Sequence, residues 1–89
     1  SSRYTLQLFG TYEQTKAEAF VEKYRKLSGL RYYRGEHKGR HWYIVVAGIY
    51  ADAGAANAGV KRLPSDLQRL KPWPRTLGGI QSSIRKNVN

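Results

Sequence analysis

Two apolar segments, about 30–36 and 41–47, are separated by Lys38-Gly39, and no other feature of the sequence restricts the fold as tightly. A two-residue link ending in glycine predicts a β-hairpin with Lys38-Gly39 as its turn and His37 opposite Arg40. Residue 35 then faces 42, 33 faces 44 and 31 faces 46. One face of the hairpin carries Arg31, Tyr33, Trp42, Ile44 and Val46, and the other carries Leu30, Tyr32, Tyr43, Val45 and Ala47. Both faces are apolar enough to be covered, whereas a two-layer domain covers only one side of its sheet.

The flanking segments supply cover for one of those faces. Tyr4-Thr5-Leu6-Gln7-Leu8-Phe9 alternates with period two and reads as a half-buried strand ended by Gly10. Thr11 with Gln14, or Thr15 with Glu18, offers a capping box for a helix over about 13–28. Ala17, Phe20, Val21, Tyr24 and Leu27 form its apolar stripe, with Gly29 as the residue that ends it. A second helix is expected over Ala51–Leu63, with Asp52 as N-cap and Ala55, Ala56, Val60 and Leu63 buried. Gly59 in its interior costs about 1 kcal/mol relative to alanine, so packing must hold this helix. Pro64-Ser65-Asp66 starts a short helical turn through Leu70, a last strand is expected near Arg75–Leu77, and Ile80–Lys86 reads as a terminal turn or tail.

The order strand–helix–strand–strand–helix–strand closes as an α+β fold of the RNP or ferredoxin-like type. Its four-stranded antiparallel sheet carries both helices on one face and leaves the other as an open binding face. Leu6, Leu8, Tyr43, Val45 and Ala47 should lie under the helices. Thr5, Gln7, Tyr33, Trp42, Ile44 and Val46 should face away, with Arg31 at one end. An aromatic plate beside a glutamine amide suits a ligand with ring faces and polar edges, a nucleobase or a sugar. The same platform could instead be covered by the C-terminal segment or by a partner protein. Trp73, fixed between Pro72 and Pro74 and flanked by Lys71 and Arg75, is either a rigid wall of a binding groove or a plug for the end of the core.

Eighty-nine residues suit one domain, and no apolar run approaches a membrane span. Ser1-Ser2 reads as a cloning remnant, which would leave any upstream targeting segment or anchor missing. Sixteen lysines and arginines against six acids give a net charge of +10, which points to a polyanionic partner. The absence of cysteine excludes disulfides, thiolate zinc sites and cysteine nucleophiles. Glu36, His37 and His41 bracket the hairpin turn without a third convergent ligand, an oxyanion hole or a nucleophile, and no glycine-rich phosphate loop is present. No catalytic residue, metal or cofactor is expected.

Three stretches taken in order resemble the SPOR (sporulation-related) domain family: Tyr4-Thr5-Leu6-Gln7-Leu8; Trp42-Tyr43-Ile44-Val45-Val46-Ala47-Gly48 with Tyr50-Ala51-Asp52; and Leu63-Pro64-Ser65-Asp66-Leu67-Gln68 with Pro72-Trp73-Pro74-Arg75-Thr76 onward to Gln81. The resemblance sets 1–3 as remnant or linker, 4–81 as the domain and 82–89 as a tail or short helix. It implies a non-catalytic module that binds septal peptidoglycan strands denuded of stem peptides. Localisation would be periplasmic, at the division site, within a host anchored in the inner membrane. It also implies that Gln7, Trp42 and Trp73 contact glycan, with Gly10 or Thr11 at the small polar position after the first strand. The register adds Tyr33, Arg31 and Ile44, and Arg75 adjoins Trp73. Other division proteins are further candidate partners; nucleic acid is not, and a monomer is expected.

Two other classes compete. An RRM-like RNA-binding sheet shares the element order and charge, but Gly39-Arg40-His41-Trp42-Tyr43-Ile44-Val45-Val46 lacks the spaced aromatics that such a third strand carries. A protein-interaction module would use the platform to dock a division partner.

Overall fold

A computed structural model describes residues 3–27 and 29–80. The expectations for Ser1-Ser2, for Gln81 and for a tail over 82–89 fall outside them. The chain runs β1 (Tyr4–Thr11), α1 (Gln14–Lys23), β2 (Leu30–His37), β3 (Arg40–Tyr50), α2 (Ala53–Val60), α3 (Ser65–Gln68) and β4 (Trp73–Thr76). The four strands form one antiparallel sheet in the order β2-β3-β1-β4, the expected α+β architecture.

The β2–β3 hairpin has the register that its link requires: His37 opposite Arg40, Gly35 opposite Trp42, Tyr33 opposite Ile44 and Arg31 opposite Val46. Lys38 and Gly39 have φ of 53° and 77°, the two positive values of a type I′ turn. On the helix side, Leu6, Leu8, Tyr43, Val45 and Ala47 are buried with Ala17, Ala56, Leu63 and Leu67, and Phe20, Val21, Tyr24 and Leu27 pack at the margin.

Several boundaries differ from expectation. Neither capping box forms: Thr11 Oγ1 accepts a hydrogen bond from the Glu13 N–H at 3.1 Å but lies two residues ahead of the N-cap, Glu13, while Thr15 lies inside α1. The helix stops at Lys23 because the chain tightens into three-residue turns, with Arg25 N–H donating to Glu22 and Leu27 N–H to Tyr24. The Tyr24 hydroxyl also donates to the Asp66 carboxylate, tying this turn to α3. Asp52 does cap α2, accepting from the Ala55 N–H at 2.7 Å, but Ala55 is exposed and Gly59 is buried instead. A Cβ on Gly59 would lie 2.7 Å from Cε1 of Tyr50, so the glycine is needed for the close approach of that ring. β4 begins at Trp73, two residues early, because an edge strand tolerates the missing N–H of Pro74.

β1 does not end at Gly10. It continues to Thr11 after a bulge: Gln7 pairs with Val46 but Phe9 with Val45, leaving Leu8 as the extra residue. Both Leu8 and Phe9 therefore serve the helix side, where the Phe9 ring meets Phe20 edge-on at 4.7 Å. A second irregularity lies on β3 between Ala47 and Tyr50, at Gly48 with φ of 77°. There the Thr5 hydroxyl is 2.6 Å from the Gly48 carbonyl and 3.2 Å from that of Ala47.

Two outcomes follow. Gly59→Ala should lower stability by about 1–3 kcal/mol in urea unfolding, since overpacking against Tyr50 outweighs the gain in helix propensity; a stabilised variant would contradict this packing. The hydrogen bond with Tyr24 holds the Asp66 carboxyl below its usual range, and the bond with Asp66 raises the Tyr24 hydroxyl above its own. The carboxylate's contribution is present above its unfolded pKa and lost as pH falls through the lowered value. That of the phenol is present below its unfolded pKa and lost as pH rises through the raised one. Tyr24→Phe should remove both limbs from a stability–pH profile measured by thermal unfolding.

Candidate functional site

Cross-strand partners share a face, so the register lays out the side of the sheet away from α1 and α2. One row runs Arg31, Val46, Gln7, Trp73 from β2 to β4; Tyr33, Ile44 and Gly10 form the next, with Gly35 and Trp42 beyond them. On the other side of the first row, Thr5 stands opposite Arg75.

The centre of this face is not bare. Ile44 and Val46, each 2% exposed, pack with Ile80 into a second small core margined by Tyr33 and Trp42. Residues 77–80 form a helical turn at the end of β4, held by Leu77 N–H to the Arg3 carbonyl and by Gly79 N–H to Thr76 Oγ1, both at 3.0 Å. Ile44 thus lies on the expected side of the sheet but is corrected from surface to core, because Ile80 covers it. Cover by the C-terminal segment, one of the two sequence readings, holds for this central patch.

Around the covered patch lie three stations. At the hairpin end, the Trp42 indole rests on Gly10, where a Cβ would come 2.8 Å from Nε1. Tyr12 meets the indole edge-on at 4.6 Å, His37 lies 5.1 Å away, and the Arg40 guanidinium stands 4.1 Å from the centre of the Tyr12 ring. Trp42 remains partly exposed. Its indole is seated on the Gly10 backbone and fenced by the Tyr12 and His37 rings, and the part left exposed is an aromatic surface whose negative face attracts the C–H edges of a sugar or the edge of another ring. The Arg40–Tyr12 contact adds a cation to the same rim.

A second station is a cavity of about 250 Å³ lined by Thr5, Arg31, Tyr33, Val46, Ile49 and Leu77 among others. Its walls are mainly apolar, with the Arg31 guanidinium as the charged group. The third is the β4 edge, where Trp73 is 47% exposed and so does not plug the core. Beside it, Arg75 donates from Nη1 to Gln7 Oε1 at 2.8 Å, and Gln7 itself is only 6% exposed.

Of the residues singled out from sequence, Gln7, Trp42, Trp73, Tyr33, Gly10, Arg31 and Arg75 lie on this face, and Ile44 lies beneath it. Sequence reasoning missed Tyr12, the grouping of His37 and Arg40 with Trp42, and Ile80 as cover. The hairpin register did carry a signal for His37 and Arg40, which share a face with Trp42. Tyr12 had none, because the Leu8 bulge is invisible to strict alternation. Glu36 pairs with His41 on the other side of the hairpin from His37, and among the described residues no three metal-ligating side chains converge.

The sequence model of a family described as SPOR domain matches residues 1–76. Cell division protein DamX of Serratia marcescens is 34% identical over 85 residues, 96% of this chain. The chain spans 39% of that protein's length.

Gly10→Val should displace the indole while leaving the sheet folded. In a Trp73→Phe background, Trp42 emission should shift to the red and its near-ultraviolet circular dichroism should weaken, with far-ultraviolet ellipticity retained. Unaltered Trp42 spectra would contradict the seating of the ring on Gly10.

Proposed function

This chain belongs to the SPOR-domain family, and on that premise we propose that it is a non-catalytic module binding peptidoglycan strands from which the stem peptides have been removed. By that binding it would direct its host to the septum, in the periplasm, with an anchor supplied by the host. The observation that carries the reading is the Trp42 indole laid on Gly10 and still partly exposed, on the same side of the sheet as Arg31, Arg75 and Trp73. Trp42 and Trp73 would stack on sugar faces, Tyr33 would line the path between the cavity and the Trp42 plate, and Gln7 would act beside Trp73.

The chemistry of the ligand supports this assignment. Cleaving the amide that joins a stem peptide to muramic acid frees the lactyl carboxylate, so a stripped strand carries regularly placed negative charges. Guanidinium groups pair with carboxylates through two parallel hydrogen bonds, and a basic domain is drawn to such a polymer. An attached peptide would remove that lactyl charge and add bulk over the face, so discrimination combines a gained pair with an avoided clash.

Co-sedimentation with purified sacculi, before and after amidase digestion, tests the reading directly. Binding should rise sharply after digestion, and Trp42→Ala should weaken it by about 30-fold, the loss of a 2 kcal/mol anchor. Equal binding to both preparations that fades with salt and ignores Trp42→Ala would mean bulk charge attraction only. RNA, or a protein partner docked on the same face, would then become the reading to pursue.

A further inference from the structure

The Gln7–Arg75 contact has a consequence for which charged group reads the ligand. Gln7 sits on the central strand, almost wholly buried, with Trp73 on one flank and Val46 on the other. Its Oε1 takes one N–H of Arg75 at 2.8 Å. A guanidinium has five N–H donors in a fixed fork, so a single bond through Nη1 fixes its direction and leaves donors on Nη2 and Nε. Neither of the ion pairs among the described residues, Lys16–Glu13 and Arg25–Glu22, involves Arg75. Both of those pairs lie at α1 and its following turn, between well-exposed side chains.

From this geometry we infer that Arg75 is the carboxylate-reading group of the face, and that Gln7 is its positioning residue. The ligand group it takes is a carboxylate borne on a sugar ring that stacks against Trp73 or lies between Trp73 and the Ile80 turn. The inference rests on the glycan reading above and deepens it by naming the pair that senses peptide removal. It also gives Gln7 a role compatible with its burial: a side chain 6% exposed offers a ligand little surface but aims the guanidinium beside it. A neutral amide suits this task. It accepts from Arg75 without cancelling the charge that the ligand must meet, as a glutamate in its place would.

The test compares two soluble glycan preparations with the intact chain by isothermal titration or fluorescence anisotropy. One is peptide-free strands with free lactyl carboxylates, and the other is the same strands with those carboxylates converted to methylamides. The unaltered chain should prefer the free acid by about tenfold, the scale of one charge-assisted hydrogen-bonded pair. In Arg75→Gln that ratio should fall to near one, and in Gln7→Glu it should fall equally, because the new carboxylate occupies Arg75. Lys16→Gln, which removes the same charge from α1, should keep the ratio, separating contact from general field. Retention of the full ratio by Arg75→Gln, or its loss in Lys16→Gln, would overturn the inference while leaving glycan binding intact. Retention of the ratio by Gln7→Glu would overturn the positioning role. Failure of the unaltered chain to bind either preparation would sink the glycan reading and this inference with it. Far-ultraviolet ellipticity of each variant confirms that it is folded.

Discussion

What the helix-free face presents depends on one extra residue in β1. Were β1 to alternate strictly, Phe9 would follow Leu8 onto the opposite side and project a phenyl ring beside Ile44. The bulge at Leu8 keeps both Leu8 and Phe9 in the core and brings Gly10 opposite Ile44. Glycine supplies the one side at which an indole can lie on the strand, and Trp42 takes it. The same shift carries the chain into Tyr12, whose ring fences that indole. A packing demand on the core side, two large apolar residues in succession, thereby sets the shape of the surface on the other side.

The second small core divides the face. Ile44, Val46 and Ile80 close its middle, so polar and aromatic groups remain available only around the margin: Trp42 with Tyr12 and His37 at the hairpin end, the Arg31 cavity at the other, and Trp73 with Arg75 along the β4 edge. With strands about 4.8 Å apart, the β2 and β4 margins are separated by roughly 14 Å. Stations spaced on that scale around an apolar centre suit an extended ligand that touches several of them in turn. A single small molecule would fill one station and leave the rest idle.

The parts of this fold legible in the sequence are those decided locally. A two-residue turn with glycine fixed the hairpin register, Asp52 announced α2, and the period of Leu6 and Leu8 gave the core side of β1. What escaped is set by contacts between distant segments. The turn that follows α1 is tied down by the Tyr24 hydroxyl on Asp66, forty-two residues away. Gly59 reads as a weakness in a helix until the Tyr50 ring is seen against it. The site follows the same division: Trp42, Tyr33 and Arg31 could be placed on one face from register alone, and Trp73 and Arg75 by their neighbourhood. The burial of Ile44 and the Gln7–Arg75 bond required knowing that β4 pairs with β1 and that a turn folds back after it.

Net charge cannot supply the discrimination proposed for this face. A stem peptide ends in a carboxylate of its own, so a strand that still carries its peptides is also an anion, and a surface with +10 net charge would attract both. Telling them apart requires a cation held where only a sugar-borne carboxylate arrives, with too little freedom to follow a charge further out. Exposed lysines such as Lys16, which pairs with an equally exposed Glu13, have flexible stems and meet neither condition. An arginine tied through one nitrogen to a buried amide meets both, at the entropic cost of a side chain already ordered before the ligand arrives. In the reading proposed for this face, the number of positive charges would set how strongly polyanions are gathered, and the fixed direction of one of them which polyanion is kept.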